Sequence, residues 1–181
     1  MKATGIVRRI DDLGRVVVPK EIRRTLRIRE GDPMEIFTGR EGEVVLKKYS
    51  PLGEMWQFAQ RFVQVLSRET KTLAIITDRD QVIATSGTGK KEYEQKRISQ
   101  ELEEAMKERA RFLSKTGQCP AIPVVQGEPE EAPEQIVCTI LSEGDAIGAV
   151  ILLSREQGFL TPADQKLAIT VADFLGGQYE S

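Results

Sequence analysis

The first 50 residues spell a pattern that so short a chain cannot close on itself. Residues 4–10, TGIVRRI, alternate as a strand does, with Ile6, Arg8 and Ile10 on one face and Val7 and Arg9 on the other. DDLG follows as a turn, with Asp for the bend and Gly14 for a positive φ. RVVV is a second strand, stopped by Pro19, which has no N–H for a ladder but suits the first position of a helix. A short helix is expected from Pro19 to about Arg27. Ile22 and Leu26 form its apolar stripe, Glu21 sits near its positive end, and Arg23, Arg24 and Arg27 crowd its C-terminal half. PMEIFT and VVLKKY, joined by GREGE, read as a second hairpin. Two hairpins and one short helix bury too little. Below about 40 to 60 residues a fold leans on disulfides, metals or a partner. Neither a disulfide framework nor a metal set is present, so this module is expected to be an obligate dimer.

The residue types that are missing narrow the chemistry. Histidine is absent, which removes the commonest general base and the commonest zinc ligand together. The only cysteines, Cys119 and Cys138, lie 19 positions apart without a CxxC partner, and are expected to be reduced, semi-buried thiols. No Ser-His-Asp or Cys-His arrangement is available, and neither a P-loop nor a dinucleotide fingerprint occurs. The expectation is therefore no metal, no cofactor and no enzyme. No apolar run approaches the roughly 20 residues that span a bilayer, and MKATGIVRRI lacks the apolar core of a signal peptide, so no membrane partner is expected and the location is read as cytoplasmic.

Charge is divided unevenly. The chain of 181 residues has a formal net charge of −2, but residues 1–50 carry 12 Lys and Arg against 8 Asp and Glu, a net +4, and the remainder carries 14 against 20, a net −6. A basic module on an acidic carrier suggests a polyanion partner. SPLGE, residues 50–54, marks the boundary, giving domains 1–50 and 51–181. Met55, Phe58, Phe62 and Leu66 predict a linker helix over about 54–67 that could also join a second core or a dimer seam. TLAIITDRDQVIATSG reads as strand, turn and strand. Residues 91–113 read as a charged helix with Ile98, Leu102, Ala105 and Met106 in phase, and AIPVV as a short strand. IVCTILS and AIGAVILLS form an antiparallel pair about the turn EGD. The last helix is capped by Thr161, with Pro162 in its first position and glycines at its end. The fold class is α+β, with helices on the faces of an antiparallel sheet.

Arg8, Arg15, Arg23 and Arg24 can reach one surface if the hairpin folds back beside the helix. Guanidinium forks grip phosphate oxygens and reach guanine O6 and N7, and a dimer doubles the set. The competing reading is a solvated face, or arginines paired with Asp11, Asp12 and Glu21. TGIVRRIDDLGRVVVPKEIRRTLRIREGDPMEIF followed by VVLKKY resembles the N-terminal domain of the AbrB family of bacterial transition-state regulators, and AIITDRDQVIATSG, AIGAVILLS and LTPADQKLAITVADFLGGQ resemble a GAF domain. The first resemblance implies a swapped-hairpin β-barrel formed by two chains. It also implies double-stranded DNA as partner, contacted by Arg8, Arg15, Arg23 and Arg24, with Lys2 and Arg9 as weaker additions. The function expected from it is a sequence-selective activator and repressor of transcription acting in sporulation. The GAF-like region would control assembly, with two swapped dimers joining into a homotetramer, and could hold an unknown small ligand in an apolar pocket. The alternative is an antitoxin-like protein–protein module, against which the folded C-terminal region counts.

Overall fold

Pro19 sets the geometry of the first element. Its φ of −56° precedes α1 (Lys20–Leu26), and its carbonyl accepts the first helical hydrogen bond from the Arg23 N–H at 2.9 Å. Arg27 ends the helix in the left-handed conformation, φ 51°, so that the Ile28 N–H returns to the Arg23 carbonyl at 2.8 Å. β1 (Met34–Thr38) and β2 (Val44–Lys48) then pair antiparallel, with Ile36 opposite Leu46. Lys48 Nζ donates to the Arg27 carbonyl at 3.1 Å and lies 3.2 Å from Asp32 Oδ2, which ties the end of α1 to β2. The computed structural model describes residues 5–40, 42–115, 121–128 and 134–178, and the chain divides into two units, Met1–Tyr49 and Ser50–Ser181.

The strands expected at 4–10 and 15–18 do not form a ladder among the described residues of the single chain. What forms is their turn, closed by Gly14 N–H to the Asp11 carbonyl and Asp11 N–H to the Arg15 carbonyl, each at 3.0 Å. Val7 is 88% exposed, and Ile10, Leu13 and Val17 are exposed too, so the apolar side of this segment is left uncovered.

The second unit is a five-stranded antiparallel sheet in the order β4-β3-β7-β6-β5, built from β3 (Leu73–Asp78), β4 (Val82–Ser86), β5 (Arg111–Lys115), β6 (Glu134–Ser142) and β7 (Asp145–Ser154). Both faces are covered, which explains why β6 and β7 read as nearly continuous apolar runs. On one face Ala74, Ile76, Ile136, Ile140, Val150 and Leu152 pack beneath α3 (Trp56–Thr70) and α5 (Pro162–Gly177). On the other, Ile75, Val137, Ile151 and Leu153 pack beneath α4 (Gln100–Lys107), Tyr93 and the segment containing Val124 and Val125.

Several expectations need correcting. The helix expected over 91–113 is confined to α4. Ser99 caps it by accepting the Leu102 N–H at 2.9 Å, Arg109 leaves the helical region at φ 56°, and residues 111–115 become the edge strand β5. AIPVV is not a strand; it makes one isolated bridge, Ile98 to Val125, and Pro123 has no N–H to extend it. A short helix, α2 (Pro51–Glu54), precedes α3, whose buried stripe is Ala59, Val63 and Leu66, leaving Phe58 52% exposed. This helix thus belongs to the second unit's core. Cys138 is fully buried, not semi-buried, and burial pushes its thiol up to about 12. Cys119 lies outside the described residues.

Candidate nucleic-acid interface

The turn between residues 11 and 15 builds one arginine's position from a single carboxylate. Asp11 Oδ1 accepts the N–H groups of Leu13 at 3.0 Å and Arg15 at 2.7 Å, and its Oδ2 accepts Arg15 Nε at 2.8 Å. Asp and Gly supply what the turn demands: a short side chain that captures backbone N–H groups two and four residues on, and Gly14 at φ 76°. The Arg15 N–H and guanidinium hold the Asp11 carboxyl below the ordinary carboxylate range. Arg15 is exposed, and its two terminal nitrogens have no partner among the described residues.

Arg23 is arranged alike. Its Nε donates to the Val18 carbonyl at 3.2 Å, which fastens the side chain to the end of the second expected strand. Arg24, next on α1, and Arg8 and Arg9, before the turn, are exposed and carry no side-chain partner among the described residues. The structure therefore brings Arg15 onto Asp11 and Arg23 onto Val18. Lys2 lies outside the described residues. Among the described residues Asp12 and Glu21 hold none of these arginines, and of the pairings expected from charge alone only that of Asp11 with Arg15 forms.

The second unit holds polar features that periodicity could not reveal. The hydroxyls of Thr77 and Thr85 are buried and without a hydrogen-bond partner among the described residues, and their register partners, Val82 and Ile75, belong to the cluster beneath α4. Nearby, Tyr93 donates its hydroxyl to Glu128 Oε1 while Glu128 Oε2 accepts the Val124 N–H, and burial together with Glu128 pushes the phenol up from its ordinary value. Beneath the opposite face Glu134 is buried and accepts the N–H groups of Gly158 at 2.7 Å, Phe159 at 2.9 Å and Leu160 at 2.7 Å. Burial alone would push this carboxyl up. The Leu160 and Gly158 N–H groups, the charge of Lys115 and the Phe159 N–H outweigh it and hold the group below 4.5. Among the described residues no helix is long and apolar enough to cross a membrane.

Known proteins place both units. The family described as "Stage V sporulation protein T C-terminal, transcription factor" matches residues 54–180, and that described as "Antidote-toxin recognition MazE, bacterial antitoxin" matches residues 7–53. The transition state regulatory protein AbrB of Bacillus subtilis is 59% identical over 51 residues, 28% of this chain and 52% of that protein. The second unit is similar in fold to the GAF domain of an Acinetobacter phosphoenolpyruvate-protein phosphotransferase, at a TM-score of 0.55 and 11% identity over 72% of this chain and 82% of that one. It is equally similar, at 0.55 and 15% identity over 70% and 93% of the two chains, to a type II free methionine-R-sulfoxide reductase from Thermoplasma acidophilum, so its fold is GAF-like and fixes no activity. Stage V sporulation protein T of Bacillus subtilis (strain 168) is 49% identical over 180 residues, 99% of each chain. With both units matched in order along their whole length, the chain belongs to the stage V sporulation protein T family of transcription factors.

Proposed function

We propose that this protein is a cytoplasmic, homo-oligomeric regulator that binds double-stranded DNA and both activates and represses sporulation genes. Arg8, Arg15, Arg23 and Arg24 carry the phosphate and base contacts, with Lys2 and Arg9 adding to the phosphate grip. The observation that carries this reading is that Arg15 and Arg23 each engage the protein through Nε alone, while Arg8, Arg9 and Arg24 stay exposed, in a chain related over its full length to a sporulation transcription factor. Within the hairpin the closure of Asp11 on Arg15 sets position 8 opposite position 18, whose carbonyl holds Arg23, so Arg8 and Arg23 approach one another once the strands pair.

The exposed apolar residues of the first unit support a dimer in which two chains complete each other's hairpins as a swapped β-barrel, with 1–50 and 51–181 as functional domains. Exposed Trp56, Phe58 and Val65 on α3 and Leu167 and Phe174 on α5 favour a further pairing of two such dimers into a tetramer. The unpartnered hydroxyls of Thr77 and Thr85 favour a small ligand that hydrogen-bonds beneath α4. No catalytic role is assigned to any residue. The antitoxin-like reading draws on residues 7–53 only and leaves the second unit without a purpose.

Binding of a labelled promoter-length duplex across a salt series tests the reading, with Arg15→Ala and Arg23→Ala/Arg24→Ala beside the parent. The parent should bind tightly and lose roughly a thousandfold or more in affinity between 50 and 200 mM salt, as a protein with six or more phosphate contacts does. The variants should fold normally and bind far more weakly. A parent without affinity for duplex even at low salt would make the arginines a solvated face.

A further inference from the structure

We infer that Asp11 is the positioning residue for Arg15: it holds the guanidinium by Nε so that the paired terminal nitrogens face outward as a preset fork for one base or phosphate. The inference rests on the DNA-binding reading above and deepens it. Four hydrogen bonds fix the arrangement. Asp11 N–H meets the Arg15 carbonyl, Asp11 Oδ1 takes the N–H groups of Leu13 and Arg15, and Oδ2 takes Arg15 Nε at 2.8 Å. One carboxylate oxygen therefore shapes the turn and the other aims the side chain. An exposed ion pair of this kind contributes little to stability. It also places a negative charge beside a surface meant for phosphate, which costs affinity. Both facts are accounted for if its purpose is geometric: an arginine with rotamer freedom to lose binds more selectively when its orientation is set beforehand. Arg23, held through Nε by a backbone carbonyl, reaches the same end without the charge.

Asp11→Asn separates the two roles, because the amide keeps an oxygen for the Leu13 and Arg15 N–H groups and loses the acceptor for Nε. Electrostatics and positioning predict opposite signs for its effect on specific binding. Affinities of the full-length variant would be measured for a promoter-length duplex that the parent binds and for a shuffled duplex of equal length and composition. Binding to the shuffled duplex should be unchanged or tighter, since a negative charge is gone. The ratio of promoter to shuffled affinity should fall about tenfold, within the discrimination a bidentate arginine provides. In an Arg15→Ala background the same substitution should leave the ratio where Arg15→Ala put it. If Asp11→Asn tightens both duplexes in parallel, or lowers the ratio further when Arg15 is already gone, the positioning role is wrong. Arg15→Lys guards against a misfolded turn: it leaves Asp11 and the backbone intact but has no Nε, and it should lower the ratio similarly; an unchanged ratio overturns the inference. A parent that binds no duplex removes the proposed function and this inference together, whereas a parent that binds beside an Asp11→Asn variant with undiminished discrimination removes the inference alone.

Discussion

The two units treat apolar residues in opposite ways. Among the described residues of the first unit only Pro19 is buried, while Val7, Ile10, Val17, Leu26 and Ile36 stand exposed. The second unit covers both faces of one sheet and holds Leu52, Ile75, Ile98, Leu102, Ile136, Ile151 and Leu152 fully out of water. At about 25 cal/mol for each Å² of apolar surface removed from water, the second unit has the driving force of a folded domain within one chain and the first does not. The first unit is rich in arginine and β-branched residues because its surfaces are made to be covered by something else: another copy on the apolar side and, as proposed, a polyanion on the basic side. One chain thus joins a domain with a core of its own to a module that, as proposed, completes its core by association.

The largest effect that would sharpen this contrast comes from a close approach inside the second unit. A Cβ on Gly176 would overlap the Leu141 carbonyl oxygen, and since that atom is backbone on a central strand, helix α5 and β6 would have to separate. Gly176→Ala should therefore lose on the order of 4 kcal/mol from the second unit's unfolding free energy, against a helix-propensity gain of only about 1 kcal/mol. Gly177, the next residue, has nothing within 4 Å of the corresponding position, so Gly177→Ala should be neutral or mildly stabilising. Urea unfolding of both variants reads the difference. Equal midpoints for the two would mean that α5 does not pack against β6 as described.

Glu134 supplies an intermediate effect, with a definite sign in pH. Its carboxylate satisfies three N–H groups of the loop that leads to α5, and a glutamine retains only one good acceptor oxygen. Glu134→Gln should cost about 1–3 kcal/mol near neutral pH. The folded carboxyl titrates below 4.5, so its contribution is complete above that value and disappears as the pH falls through the lower, folded value. Parent and variant should therefore converge in acid, with the gap opening as the pH rises toward 4.5 and holding constant above about pH 5. Thermal midpoints at a series of pH values check this, and a gap that widened toward acid would reverse the assignment.

What the sequence made legible follows the same division. Helix α5 was readable in full because its signals are local: Thr161 accepts the Asp164 N–H, Asp164 returns the bond, and Pro162 occupies the first turn. β6 and β7 were readable because their apolar runs flank a short turn. The helix expected over 91–113 failed at both ends. Ile98, Leu102 and Met106 do share a face, but only Leu102 and Met106 are helical, and periodicity says nothing of a left-handed residue at 109 or of an edge strand recruited at 111. Phe58 read as core because it is large and in phase, yet the small residues Ala59 and Val63 allow α3 to approach the sheet, and the stripe turns by one position. At the candidate interface, charge and the family resemblance singled out the arginines. They did not reveal that Asp11 and the Val18 carbonyl hold two of them, since that depends on how a turn closes and where a helix begins.

The smallest of these effects bears most directly on the comparison. If the first unit gains its core only by association, its unfolding is coupled to dissociation, and each tenfold dilution lowers its stability by about 1.4 kcal/mol. The second unit completes both of its hydrophobic clusters within one chain, so its transition should move less over the same range. The chain offers a way to tell the two apart. Its single tryptophan, Trp56, lies in α3 and reports on the second unit, whereas far-ultraviolet circular dichroism reports on both. Melts recorded over three decades of concentration should show a circular-dichroism transition that slides to lower temperature on dilution while the Trp56 emission transition moves less. Should every transition hold its position at the lowest concentration, the first unit would be folding alone. Ile36, Val7 and their neighbours would then be ordinary surface residues, and their exposure would imply no obligate partner.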